Sequence, residues 1–160
     1  MKSLHKSLSS CRVGLTSLVL VASMMVVGCG PRGESDTLEG LLATAKYRYQ
    51  RSMRANVGGE VKTILDQMSP KLEALASAKS GSQLPSLAEG TANDLSSVIH
   101  RASYTNRPAM AELVNQYRIM AEAGQASEQA VDAAAVKLLT SRTYQLLAAE
   151  LETTKFQVES

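Results

Sequence analysis

Few side chains in this chain can do chemistry, and the most pointedly placed of them is a thiol. Cys29 follows small Gly28 at the close of an uncharged run of fifteen residues, Val13 to Val27. A thiol can be alkylated, oxidised or bound to a metal, and its surroundings decide which. Cys11 is the other cysteine, and His5 and His100 are the two histidines. Three arginines, Arg48, Arg51 and Arg54, recur every third residue. Such a basic stripe could meet lipid headgroups, lipopolysaccharide phosphates or cell-wall carboxylates, or could simply be a solvated face.

The segment that positions Cys29 reads as a secretion leader. Lys2, Lys6 and Arg12 make a basic start, with no acidic residue before Glu34. The apolar run is as long as the core of a signal peptide. It is short for a membrane span, which needs about 20 apolar residues to cross roughly 30 Å of hydrocarbon. The basic residues hold the N-terminus on the cytoplasmic side while the run inserts.

Val26-Val27-Gly28-Cys29 resembles the lipobox of bacterial lipoproteins: an aliphatic residue, a small or aliphatic one, a small one, then cysteine. The resemblance covers the first 29 residues only. It implies a diacylglyceryl group on the Cys29 sulfur and cleavage between Gly28 and Cys29, with further acylation of the new amino terminus in many such proteins. Two or three acyl chains make a durable anchor, each buried methylene contributing about 0.8 kcal/mol. In the enterobacterial sorting rule an aspartate after the cysteine retains a lipoprotein in the inner membrane. Gly30 stands there instead, which implies the outer membrane, facing the periplasm.

The leader distorts the composition. Removing 28 of 160 residues takes three of the 17 basic residues with it, leaving 14 against 15 acidic ones. A formal charge of +2 becomes −1, so the charge is no argument for nucleic acid. With Cys11 removed and Cys29 alkylated, no internal disulfide and no cysteine metal site is expected. Residues 29–35 form a short tether that spans about 20 Å when extended. Residues 36–160 are long enough for one domain with its own core.

That domain reads as helix. Alanine, leucine, glutamate and lysine abound, there are four prolines, and tryptophan is absent. Asp36 and Glu39 have capping-box spacing. Leu38, Leu41, Leu42, Ala45, Tyr49 and Met53 then recur at helical period. Gly58-Gly59 predicts a break, across which helices one and two can stack end to end. The second helix runs over 60–79, with a kink at Ser69-Pro70. Ser86 and Glu89 predict the cap of a third, with Leu95, Val98, Ile99 and Ala102 inward and an end near Tyr104. Asn106-Arg107-Pro108 opens the fourth, bearing Met110, Leu113, Val114, Tyr117, Met120 and Ala121, with Gly124 as its C-terminal cap. Ser127 starts the last helix, with Val131, Ala135, Leu138, Leu139, Leu146, Leu147 and Leu151 inward and fraying after Thr154. No alternating run suggests a strand. The expected fold is all-α: an up-and-down antiparallel bundle of four main helices, five if the break at Asn106 is sharp.

No HExxH, Gly-x-Ser-x-Gly, phosphate-binding glycine loop or Cys-x-x-Cys-His is present. Only His100 of the two histidines lies beyond the leader, and it falls off the apolar face of its helix. The chain therefore reads as a non-enzymatic envelope lipoprotein, a binding or scaffolding module. Its expected partners are the membrane through the lipid and another envelope protein or the cell wall. No cofactor is expected beyond the lipid. The alternative is a carrier with haem or metal in the bundle core, His100 pairing with Met53, Met68 or Met110. Those methionines fall in core phase, where gap filling is the commoner role. Tyr47 and Tyr104 read as exposed and suit a contact surface.

Overall fold

The structure, a computed structural model, describes residues 37–54, 60–78, 81 and 83–158, with side chains through Thr153. The leader, Gly28, Cys29, the tether and Gly58-Gly59 lie outside the described residues. Five α-helices follow in order: α1 Leu38–Arg54, α2 Glu60–Ser77, α3 Leu84–Ile99, α4 Arg107–Ala126 and α5 Ala133–Val158, with a 3-10 turn at Glu128–Ala130 before α5. The fold is an all-α bundle with no strand among the described residues.

Consecutive helices run antiparallel. Lys46 meets Glu73 at 2.9 Å and the Tyr49 hydroxyl donates to the Leu65 carbonyl at 3.1 Å, so α2 doubles back beside α1. The end-to-end stacking expected of these two helices is therefore corrected. Lys71 pairs with Asp94 across α2 and α3, and Arg101, just beyond α3, pairs with Glu60. The Tyr117 and Thr143 hydroxyls, 2.8 Å apart, tie α4 to α5. The first and last helices are also neighbours, and they are parallel. Glu39 meets Lys137 at 3.1 Å, the Tyr49 and Tyr144 rings stand 5.2 Å apart, and Ser52 donates to Glu152 at 3.5 Å. An odd number of alternating helices leaves the first and fifth pointing the same way.

Helix α5 packs against α1, α2 and α4. It is wrapped on several sides, which is why it buries Val136, Leu139, Tyr144, Leu147, Ala148 and Leu151 together with Thr140, Ser141 and Thr143. Polar residues survive there because the helix itself satisfies them. Thr140 donates to the Val136 carbonyl at 2.8 Å and Thr143 to the Leu139 carbonyl at 2.9 Å. Each such bond removes the cost of an orphaned hydroxyl in the core.

Several boundaries differ from those expected, each for a local reason. Thr37 caps α1, its hydroxyl accepting from the Gly40 N–H at 3.1 Å; Asp36 lies outside the described residues. Glu39 instead pairs with Lys137, and its carboxyl is held below the usual range first by a backbone hydrogen bond and then by Lys137. Helix α2 runs through Pro70 as one helix, as expected, but ends at Ser77 and not at 79. The Ser69 and Tyr49 hydroxyls both donate to the Leu65 carbonyl in the turn before the proline. Helix α3 starts at Leu84, so Ser86 sits inside its first turn and is not the cap. Gly124 lies within α4, which ends at Ala126, and a Cβ there would stand 3.0 Å from Pro85 Cγ. Its absent side chain serves the close approach of α4 to the start of α3. Ser127 caps only the 3-10 turn; Asp132 opens α5 by accepting from the Ala134 N–H at 3.0 Å. Helix α5 continues to Val158, past the expected fraying point.

The early end of α3 at Ile99 has a cause on another helix. Glu150 of α5, 6% exposed, accepts from the Ser103 N–H, the Ser103 hydroxyl and the Asn106 side-chain amide, each at 2.7 Å. Three donors around one carboxylate pin the α3–α4 turn to α5. Glu150→Ala should orphan all three and lower the unfolding free energy by about 2–4 kcal/mol, with Glu150→Gln losing about half as much. Urea denaturation of the two variants checks this; a loss below that of an ordinary surface substitution would contradict the pinning role.

Candidate functional site

The side chains singled out in the sequence do not converge. Arg48, Arg51 and Arg54 are exposed on the face of α1 opposite its buried Ala45, Tyr49 and Ser52. None of the three has an ion pair among the described residues. Arg51 and Arg54 occupy the last turn of α1, where positive charge offsets the negative end of the helix dipole. Tyr47, 65% exposed, stands beside them in sequence, whereas Tyr104, 88% exposed, lies in the α3–α4 turn. His100 is exposed at the C-terminal cap of α3, and its carbonyl accepts from Arg107 at 3.5 Å. Met68 and Met110 are fully buried and Met53 packs at the core edge. Among the described residues no group of three His, Cys, Asp or Glu side chains could hold a metal ion. No helix among them is long and apolar enough to cross a membrane.

The buried polar groups are occupied with one another. The Tyr49 hydroxyl lies 3.1 Å from the Ser69 hydroxyl as well as bonding Leu65. Tyr117 and Thr143 form a closed pair, and Thr91 donates to the Leu87 carbonyl at 2.8 Å. Among the described residues no buried side-chain nitrogen or oxygen lacks a partner. Burial pushes the Tyr49 and Tyr117 phenols up to about 12. Tyr144 is raised further, by burial first and the nearby Glu73 charge second. The Tyr49 and Tyr117 phenols, held neutral in this way, act as hydrogen-bonding locks, α1 to α2 and α4 to α5.

The feature that sequence reasoning missed is a groove between α4 and α5. Helix α4 packs along α3 and α5 along α1, while α4 and α5 meet over a much shorter stretch. The gap forms two troughs of about 400 and 430 Å³ that join at Gln116 and Arg142. One trough is walled by Ile119, Met120, Ala123, Val131, Ala135, Leu138 and Leu139. The other is walled by Ala109, Glu112, Leu113, Gln145, Leu146 and Ala149. Alanines are too short to close the gap, and Ile119 and Leu138 remain 56% and 41% exposed on its rims. Ala135 and Leu138 were expected in the core; they line this groove because α5 buries the flank centred on Val136, Leu139 and Thr143 instead.

A spacing signal for the groove was present in the chain. On α4 the rim residues are Ala109, Glu112, Gln116, Ile119 and Ala123; on α5 they are Ala135, Leu138, Arg142, Gln145 and Ala149. Both rows alternate steps of three and four, the period of a helix that receives another helix. From Ala109 to Ala123 the row is about 21 Å long. The groove is thus a long, open cleft running between two helices.

The tyrosine locks set an alkaline limit. Tyr49 and Tyr117 stay protonated in the fold to about pH 12, while the unfolded chain releases their protons near the ordinary value of 10. Between those values the unfolded state holds fewer protons, so stability falls as pH rises. Each tyrosine should contribute about 1.4 kcal/mol per pH unit in that window. Tyr117→Phe should cost about 1 kcal/mol at pH 7 and flatten the alkaline slope; an unchanged slope in denaturation from pH 9 to 12 would contradict the assignment. Comparison with protein-family models, with curated proteins and with solved structures found no match to this chain, so its function is read from its own residues.

Proposed function

We propose that this chain is a bacterial envelope lipoprotein held by acyl groups on Cys29, whose helical bundle is a non-enzymatic scaffolding module. The observation that carries the module reading is the open α4/α5 groove, with heptad-spaced rims and exposed Ile119 and Leu138. A groove of that shape recognises an amphipathic helix through anchors at steps of three and four. The anchor reading rests on the basic leader, the apolar run and the Val26-Val27-Gly28-Cys29 box. Lipid anchoring and helix docking reinforce one another, because confinement to a membrane raises the effective concentration of any partner in that membrane. Gly30 after the cysteine favours the periplasmic face of the outer membrane. Arg48, Arg51 and Arg54 are a second contact row, for anionic lipid or cell-wall carboxylates.

Two measurements test this reading. Labelled palmitate fed to cells should mark the wild-type chain and not Cys29→Ala; equal labelling of both would refute the anchor. A photo-crosslinking residue at position 119 should give a discrete higher-mass product in cells, and one at exposed position 93 on α3 should not. Absence of any product from position 119 would refute the docking groove.

A further inference from the structure

The trough at the α5 start has a charge pattern that specifies its occupant. Arg142 stands at one end, exposed, with no hydrogen bond or ion pair among the described residues. Ten residues earlier, at the other end, stands Asp132, with exposed Glu128 in the 3-10 turn just beyond it. Asp132 uses one oxygen to cap the Ala134 N–H, and its other oxygen makes no hydrogen bond among the described residues. Between these ends the α5 rim is Ala135, small and exposed, then Leu138.

We infer that this trough is filled by the same trough of a second copy of this chain, the two α5 helices crossing antiparallel at Ala135. The inference rests on the docking reading above and names its partner. A two-fold axis through Ala135 makes the surface self-complementary, as an isologous dimer requires. An arginine side chain on a helix leans towards its N-terminus, so Arg142 leans towards the crossing point and meets the partner's Asp132. The symmetric pair forms at the other end. Leu138 projects into the partner's trough beside Val131, and Ile119 on α4 stands level with that end of the partner. Ala135 at the crossing lets the two backbones approach closely, and a larger residue there would hold them apart. A helix of another protein would need its own acid for Arg142 and base for Asp132; a second copy brings both in register.

The axis makes the test specific, because a residue on it meets itself. Ala135→Cys in the full chain, oxidised in membranes, should form a disulfide-linked species of twice the chain mass that reductant reverses. Wild type and Gln145→Cys, in the second trough, should not. Arg142→Glu added to Ala135→Cys should reduce the crosslinked fraction at least tenfold, and Arg142→Lys should leave it within about twofold. Circular dichroism of each variant establishes that the bundle is intact. Monomer only from intact Ala135→Cys overturns the inference, as does a crosslinked fraction insensitive to Arg142→Glu. The crosslinker at position 119 separates the two readings. A product of two copies of this chain supports both, a product with a different protein overturns the homodimer and leaves the docking groove standing, and no product overturns both.

Discussion

Burial of α5 on several sides is the constraint from which the rest of this structure follows. One helix packing against three others has no wide solvent face, so its sequence cannot show the clean stripe of a surface helix. Polar residues must then enter the core, and they are tolerable only where each finds a partner. Thr140 and Thr143 bond within the helix, Thr143 also holds Tyr117, and Glu150 draws in three donors from the α3–α4 turn. These bonds decide where α3 stops, how α4 leaves the turn, and at what height α4 passes α5.

The same constraint produces the groove. Helix α5 spends its most apolar flank on α1 and α2, and α4 spends its own on α3, helped by the missing side chain at Gly124. What remains between α4 and α5 are rows that mix alanines with Gln116, Arg142 and Gln145, with Ile119 and Leu138 exposed on the edges. Arg142 stands where the two troughs meet, with Asp132 at the α5 start and Glu112 on the α4 side.

The polar groups of the core hold the helices to one another. Phenols pushed well above neutral pH by burial, threonines bonded to their own helix, and a glutamate surrounded by three donors all lock helices to one another. The proposal of an anchored scaffold rests on two features of different kinds: a cysteine at the end of an apolar run in the sequence, and a groove that exists only because five helices share one core.

Local chemistry was legible in the sequence. The helices themselves, the starts of α1 and α4 to within a residue or two, the inward phase of Leu95, Val98, Met110, Leu113 and Tyr117, and the exposure of His100, Tyr47 and Tyr104 follow from period, proline and capping preference. Those depend on neighbours within one or two turns. What the tertiary structure decided depends on partners far away in the chain. Glu150 holds Ser103, in the turn after α3, from 47 residues away. The approach of Pro85 turns Gly124 from a terminator into a contact. The parallel packing of α1 on α5 settles which flank of α5 is core, and so moves Ala135 and Leu138 from the expected interior to the rim of a groove. A hydrophobic stripe states only that some face is to be covered; which face is covered within the bundle and which stays exposed is set by the packing of the helices, and α5 leaves Ala135 and Leu138 outside it.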